Sequence, residues 1–306
     1  MVIIWFGFTT PLNRTLNVIK SLSWQEKTME SLVTTEWLAG ELEATDLRII
    51  DASKFLPDAG RDAAAEYEAG HIPGAVFMDL AELVDSNSAI ENTLPPAEKF
   101  ASRMQSLGLG DGSRIVLYDD SPLKSSARAW FMLTMFGAHD VAILDGGIAK
   151  WKAEGRPIEQ GKTQLRHRHF TVWQDDKNLR TKANLLANLH SKDEQVVDAR
   201  PAARFSGAEE DPRPGIASGH IPGSLNIPHS SLFNADGTWK SADELKAVFA
   251  DAGVDLGKPV ITSCGSGMTA TVLIFAMHLI GKTDAALYDG SWAEWGADAD
   301  APKAAA

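Results

Sequence analysis

The chain has 306 residues, 44% of them hydrophobic and 23% charged, with a formal net charge of −12. This composition excludes a disordered or fibrous chain and leaves room for two ordinary domains. The acidic balance counts against nucleic acid as a partner, although a local basic pocket for a small anion stays open. The single cysteine, Cys264, rules out an intrachain disulfide and any multi-cysteine metal site.

In chain order, Met1 to Phe8 is apolar but stops at Thr9-Thr10-Pro11, too short to span a bilayer, so no membrane partner is expected. Arg14 and Lys20 follow this run instead of preceding it, the wrong order for a secretory signal. Met29 then opens a segment that looks like a natural start. Residues 1–28 therefore read as a loose extension or a mis-set start codon. Short apolar runs bounded by turn residues follow. Ile49-Ile50, Ile115–Tyr118 and Val141–Leu144 read as strands, and Ser125–Phe136 as a helix between them. Residues 154–180 hold Arg156-Pro157, Gln160-Gly161 and the basic run Arg166-His167-Arg168-His169, and read as a linker. His167 and His169 alternate as ligands on a strand can. No acid or cysteine cluster stands beside them to complete a site, so a solvated face is the better reading and no metal is expected. Beyond the linker, Gln195–Val197, Val260–Thr262 and Ala286–Tyr288 read as strands and Thr269–Leu279 as a helix.

The two halves repeat one another. Arg48–Ala52 matches Gln195–Ala199, Gly70–Ala75 matches Gly219–Ser224, and Leu144–Gly147 with Trp151 matches Tyr288–Ser291 with Trp295, in the same order. Self-similarity at this interval means two copies of one domain. We expect an α/β fold of two tandem domains, 29–153 and 181–306, each a mainly parallel sheet flanked by helices, with ligands at the C-terminal strand ends.

Cys264 ends the strand Val260–Ser263 and is followed by Gly265-Ser266-Gly267-Met268-Thr269-Ala270 and a helical run. Glycines let the backbone turn several N–H groups inward, and those groups together with the helix terminus stabilise an anion. A thiolate there is a nucleophile, and the same cradle can hold the outer sulfur of a persulfide. The alternative, a small buried structural cysteine, does not account for the Gly-Ser-Gly that follows. The matching turn of the first half, Tyr118–Leu123, has no cysteine. That half is expected to be non-catalytic and to supply a wall of the cleft.

The two His-Ile-Pro-Gly motifs, the Asp289–Trp295 ending and the loop Cys264–Ala270 together resemble the rhodanese superfamily, specifically its 3-mercaptopyruvate sulfurtransferase branch, over about Val33 to Trp295. Mercaptopyruvate enzymes typically read C-G-S-G-V-T-A in the loop and thiosulfate-using rhodaneses C-R-K-G-V-T; this chain reads C-G-S-G-M-T-A. Thiosulfate is a dianion that basic loop residues would help to bind, and here Gly265 and Ser266 stand instead. The resemblance implies sulfur transfer from 3-mercaptopyruvate, through a Cys264 persulfide, to thioredoxin, a low-molecular-weight thiol or cyanide, with no cofactor, in the cytoplasm. It implies catalytic roles for Cys264 and Ser266. For substrate binding it implies Arg204 and Arg213, which would hold the carboxylate and keto group, along with Gly265, Gly267, Met268 and Thr269. The residues alone do not separate Arg200, Arg204 and Arg213. Ser266 has a plainer reading as a small polar turn residue, and His71 and His220, paired across both halves, read as structural. Some relatives carry an acid and a histidine where this chain has Ala81 and Asn92, so a relay through that acid is not available here. Rival readings are a thiosulfate sulfurtransferase, a non-catalytic sulfur-binding module, and a rhodanese-like phosphatase, against which Ala270 stands where an arginine would be needed.

Overall fold

The computed structural model describes residues 29–305 together with Val2; apart from that one residue, the expectation for 1–28 lies outside the described residues. The first half folds as a parallel sheet of β1 (Leu32–Val33), β2 (Leu47–Asp51), β3 (Val76–Phe77), β4 (Arg114–Tyr118) and β5 (Val141–Leu144), in the order β1-β5-β4-β2-β3. The second repeats it with β6 (Leu179–Arg180), β7 (Gln195–Asp198), β8 (Leu225–Asn226), β9 (Val260–Ser263) and β10 (Ala286–Tyr288), in the order β6-β10-β9-β7-β8. Every pairing within both sheets is parallel. Parallel neighbours need crossover connections, and the helices that make them cover the sheets, which is why the central strands are apolar on both faces.

Two of those helices join the halves. Ser126–Met135 has nine of its ten residues buried and Ala270–Leu279 eight of ten. Each packs on its own sheet and on the other helix, so each must be apolar nearly all round. Trp130 meets Phe275 edge to face at 4.9 Å between ring centroids. One core cluster consequently runs from Leu117 and Phe131 through to Val197 and Leu273. The exception in the first helix is Arg128, only 2% exposed.

Residues 154–180 are an ordered strap along the first half. Glu159 pairs with His71, Asp111 N donates to His169 O, Trp173 N donates to Phe136 O, and Phe170 is buried against Phe100. The strap ends in β6, an edge strand of the second sheet. His167 and His169 are exposed. The chain's last residues do for the second half what the strap does for the first: His220 bridges Ala304 as His71 bridges Glu159. Both motif histidines are fixed structurally. Nδ1 of His71 pairs with Tyr67 O and that of His220 with Phe205 O, both at 2.8 Å, and each ring stacks on the aromatic side chain of its partner residue. Among the described residues no helix is long and apolar enough to cross a membrane.

Candidate active site

The register of the two sheets identifies what faces what. Asp51 pairs with Tyr118, and Asp198 pairs with Ser263. Cys264 in the second half therefore occupies the place of Asp119 in the first. Asp119 is 8% exposed, and its carboxylate accepts from Ser121 N at 2.9 Å and Ser126 N at 2.8 Å. The fold thus places a turn after this strand in both halves, and in the first it holds a carboxylate. In the first half its own side chain fills the turn. In the second a thiol stands there.

In the second turn two amides are taken up by one side chain. Cys264 N and Gly267 N both donate to Ser291 Oγ, each at 3.1 Å. The Gly267 amide is therefore taken up by Ser291. A glycine is required there all the same: the backbone is left-handed (φ +74), and a Cβ would lie 2.8 Å from Asp289 O. The amides of Gly265, Ser266, Met268 and Thr269 have no partner among the described residues. These four are the groups left to face an anion, with the N-terminus of the ten-residue helix Ala270–Leu279 behind them. Cys264 is 1% exposed and belongs to the shared core; Met268 (5%) and Thr269 (8%) are buried beside it in the turn. The thiol is thus covered in this structure.

Ser291 was not anticipated. It is fully buried at φ 49, a left-handed conformation that a non-glycine residue adopts at a cost, and it also donates to Tyr288 O at 2.8 Å. The equivalent residue of the first half is Gly147, also left-handed. The strain is accepted where the hydroxyl is needed to hold the cysteine turn.

The first half closes the site from across the cleft. Arg128 Nη1 donates to Gly267 O at 3.2 Å and to Asp289 Oδ1 at 2.8 Å, and Nη2 donates to Asn92 O at 2.7 Å. Asp289 Oδ2 accepts from Leu94 N at 2.7 Å. Asn92 Nδ2 donates to Ser266 Oγ at 3.1 Å.

The three arginines now separate. Arg200 is 5% exposed, forks onto Asp198 and lies over Trp292, a structural position. Arg213 reaches the turn: Nη1 donates to Gly265 O and to Glu91 Oε1, both at 2.9 Å, while Nε and Nη2 fork onto Asp211 at 2.7 and 2.8 Å. Burial alone would raise the Asp211 carboxyl, but the Arg213 hydrogen bonds outweigh it and hold the pKa below the ordinary value, with Arg204 adding to the effect. Arg204 lies behind this pair. It bonds Glu209 at 2.7 Å and makes no bond to the turn among the described residues. A cavity of ≈ 360 Å³ lies against Arg213, walled by Asp211, Pro212, Pro214 and Ile216. Among the described residues no three His, Cys, Asp or Glu side chains gather to hold a metal ion.

Two α/β repeats, one of them with a lone cysteine at the mouth of its central strand, define the class of tandem rhodanese-type proteins. The Rhodanese-like domain family matches residues 34–154 and 181–298, and the chain belongs to that family. It is 42% identical to the 3-mercaptopyruvate sulfurtransferase of Mus musculus, over 87% of this chain and 91% of the mouse protein. It is 41% identical to that of Escherichia coli K12, over 88% and 96%. The thiosulfate sulfurtransferase of Cricetulus griseus is 40% identical, over 87% and 91%. Among solved structures, SseA of Escherichia coli, described as a 3-mercaptopyruvate sulfotransferase, superposes with a TM-score of 0.79 at 38% identity, covering 86% of this chain and 99% of that one.

Proposed function

We propose that the chain moves sulfur from 3-mercaptopyruvate to a thiol acceptor, with Cys264 as the carrier. The observation that carries this reading is the turn after β9: a lone thiol followed by four turn amides without partners among the described residues, in a loop free of basic residues. The relatives named for mercaptopyruvate support the same substrate. In the first half-reaction the Cys264 thiolate attacks the donor sulfur. An S–S bond forms, the C–S bond breaks, and its electron pair leaves as the enolate of pyruvate. Ser266 donates a hydrogen bond to that enolate, which takes up a proton to give pyruvate. The unpaired amides of the turn hold the persulfide. In the second, an acceptor such as thioredoxin, a small thiol or cyanide attacks the outer sulfur and regenerates Cys264. Two half-reactions on one nucleophile give ping-pong kinetics.

Arg213 is our choice for the substrate carboxylate, because Glu91, 55% exposed on its side chain, already offers a carboxylate to the same guanidinium edge. A substrate carboxylate exchanging for Glu91 would keep Nη1 satisfied while the fork stays on Asp211. Arg204 supports Arg213 through Asp211. Gly265, Met268 and Thr269 contribute amides, and Gly267 contributes the bend. A carrier that must return to a free thiol suits a reducing compartment such as the cytoplasm.

The test is pyruvate release from 3-mercaptopyruvate by the wild type and Cys264→Ser, with the intact mass recorded after donor treatment. We expect near-complete loss of release in the variant and an adduct of about 32 Da on the wild type only. Retained release by the variant removes Cys264 from the mechanism. A higher kcat/KM for thiosulfate than for mercaptopyruvate replaces the donor with thiosulfate.

A further inference from the structure

We propose that Lys54 is a positioning residue for sulfur transfer, setting through Asn92 the direction in which Ser266 donates its hydroxyl proton. The inference rests on the sulfurtransferase reading of Cys264 above.

Lys54 follows the end of β2. Its amide donates to Ser125 Oγ at 3.0 Å and its carbonyl accepts from Ser121 Oγ, so its backbone is held in the turn of the first half. Its ammonium donates to Asn92 Oδ1. Asn92 in turn donates from Nδ2 to Ser266 Oγ across the cleft. Asn92 stands at φ 60, and its own carbonyl is held by Arg128. All three side chains are half-buried.

The order of donors follows from what each group can do. An ammonium has only protons to give, whereas an amide has one accepting end and one donating end. Which end of an asparagine faces which neighbour is otherwise a free choice. The ammonium makes that choice: the amide oxygen must face Lys54, so the NH2 must face Ser266. Ser266 Oγ then accepts on that side, and its single proton points away from Asn92. The chain Lys54 to Asn92 to Ser266 runs one way and ends with a donor, the polarity a departing enolate needs. Without the ammonium the amide can turn over and present its oxygen to Ser266. The hydroxyl then gives its proton to Asn92 and offers lone pairs to an anion.

Lys54 also lacks the partner a half-buried cation ordinarily has. No carboxylate lies within salt-bridge distance among the described residues, and the charges that face it are Arg128, Asp79 and Glu91. Burial first, and then Arg128, lower its pKa from the ordinary lysine value. A cation left unpaired at this cost is a candidate for function.

The experiment compares Lys54→Met, Lys54→Arg and Asn92→Asp, each in the wild-type and the Ser266→Ala background, by kcat and KM for pyruvate release, with Tm recorded for each. We expect Lys54→Met to lower kcat about tenfold, a fraction of the ~100-fold that loss of one positioned donor costs, with KM changed less than about twofold. Asn92→Asp should do the same although it is isosteric and can pair with Lys54, because a carboxylate only accepts and takes the Ser266 proton. Arginine, also donor-only, should restore most of kcat. In the Ser266→Ala background neither Lys54→Met nor Asn92→Asp should lower kcat further. Full kcat in a folded Asn92→Asp, or an equal loss from Lys54→Met with and without Ser266, overturns the proposal. A wild type that releases no pyruvate overturns the sulfurtransferase reading, and this inference with it.

Discussion

Removing one hydroxyl at Ser291 should loosen the cysteine turn more than any change of comparable size elsewhere in the chain. The Oγ accepts from two amides of the turn, Cys264 N and Gly267 N, and donates to Tyr288 O, all in a fully buried setting. Ser291→Ala leaves two buried donors without an acceptor. At about 1–3 kcal/mol for each unsatisfied group, with partial relaxation, the loss should be about 2–4 kcal/mol. Ser291→Gly removes the same hydroxyl but also relieves the left-handed strain at φ 49, which returns roughly 1 kcal/mol. The glycine variant should therefore be the more stable of the two, though both fall below the wild type. Urea unfolding followed by tryptophan fluorescence gives the ranking, and pyruvate release gives the effect on the turn: kcat should drop in both, because the strain relief does nothing to hold Cys264. The reasoning fails if Ser291→Ala unfolds within about 0.5 kcal/mol of the wild type, the scatter of an ordinary surface change, or if alanine proves the more stable replacement.

Arg128→Met should cost about 3–5 kcal/mol, because it leaves the Asp289 carboxylate at the cleft without its cation; calorimetry should show the two halves beginning to unfold separately. Asp119→Ala should destabilise by about 1–3 kcal/mol without lowering kcat, since it empties the anion-holding turn of the half that has no thiol. Arg213→Met should raise KM for mercaptopyruvate at least about tenfold while Cys264 still accepts sulfur from a donor lacking a carboxylate. The Asp211 carboxyl is held below its ordinary pKa. Its pair with Arg213 therefore contributes stability that is complete above about pH 4 and is lost as the pH falls through the lowered value. The Tm difference between wild type and Arg213→Met should accordingly narrow on acidification; a gap that stays constant to low pH contradicts the assignment.

The repeat, the parallel sheets and the position of Cys264 were legible because each leaves a local mark: matched motifs, apolar runs between turn residues, and a rare residue type at a strand-to-helix switch. The edge strands β1, β3, β6 and β8 have two residues each, too few to show any alternation. The strap at 154–180 reads as a linker because its contacts are made by backbone groups and single side chains such as Phe170. The clamp on the turn was hidden for a different reason. Arg128 meets partners 139 and 161 residues away, and Asn92 meets Ser266 174 residues away, so nothing local announces them. One signal was available: an arginine in the middle of the otherwise apolar run Ser126–Met135 had to have a buried acceptor. The backbone angle that makes Ser291 useful belongs to the folded turn and has no counterpart in the motif that contains it.

Asp119 gives the molecule a built-in reference state. The first repeat is a receptacle permanently filled by a tethered carboxylate, whereas its twin, on the proposed mechanism, alternates between bare and loaded as sulfur comes and goes. Only the second therefore changes its electrostatic content during turnover, and the first stays constant as a frame against which the mobile cargo is received and released.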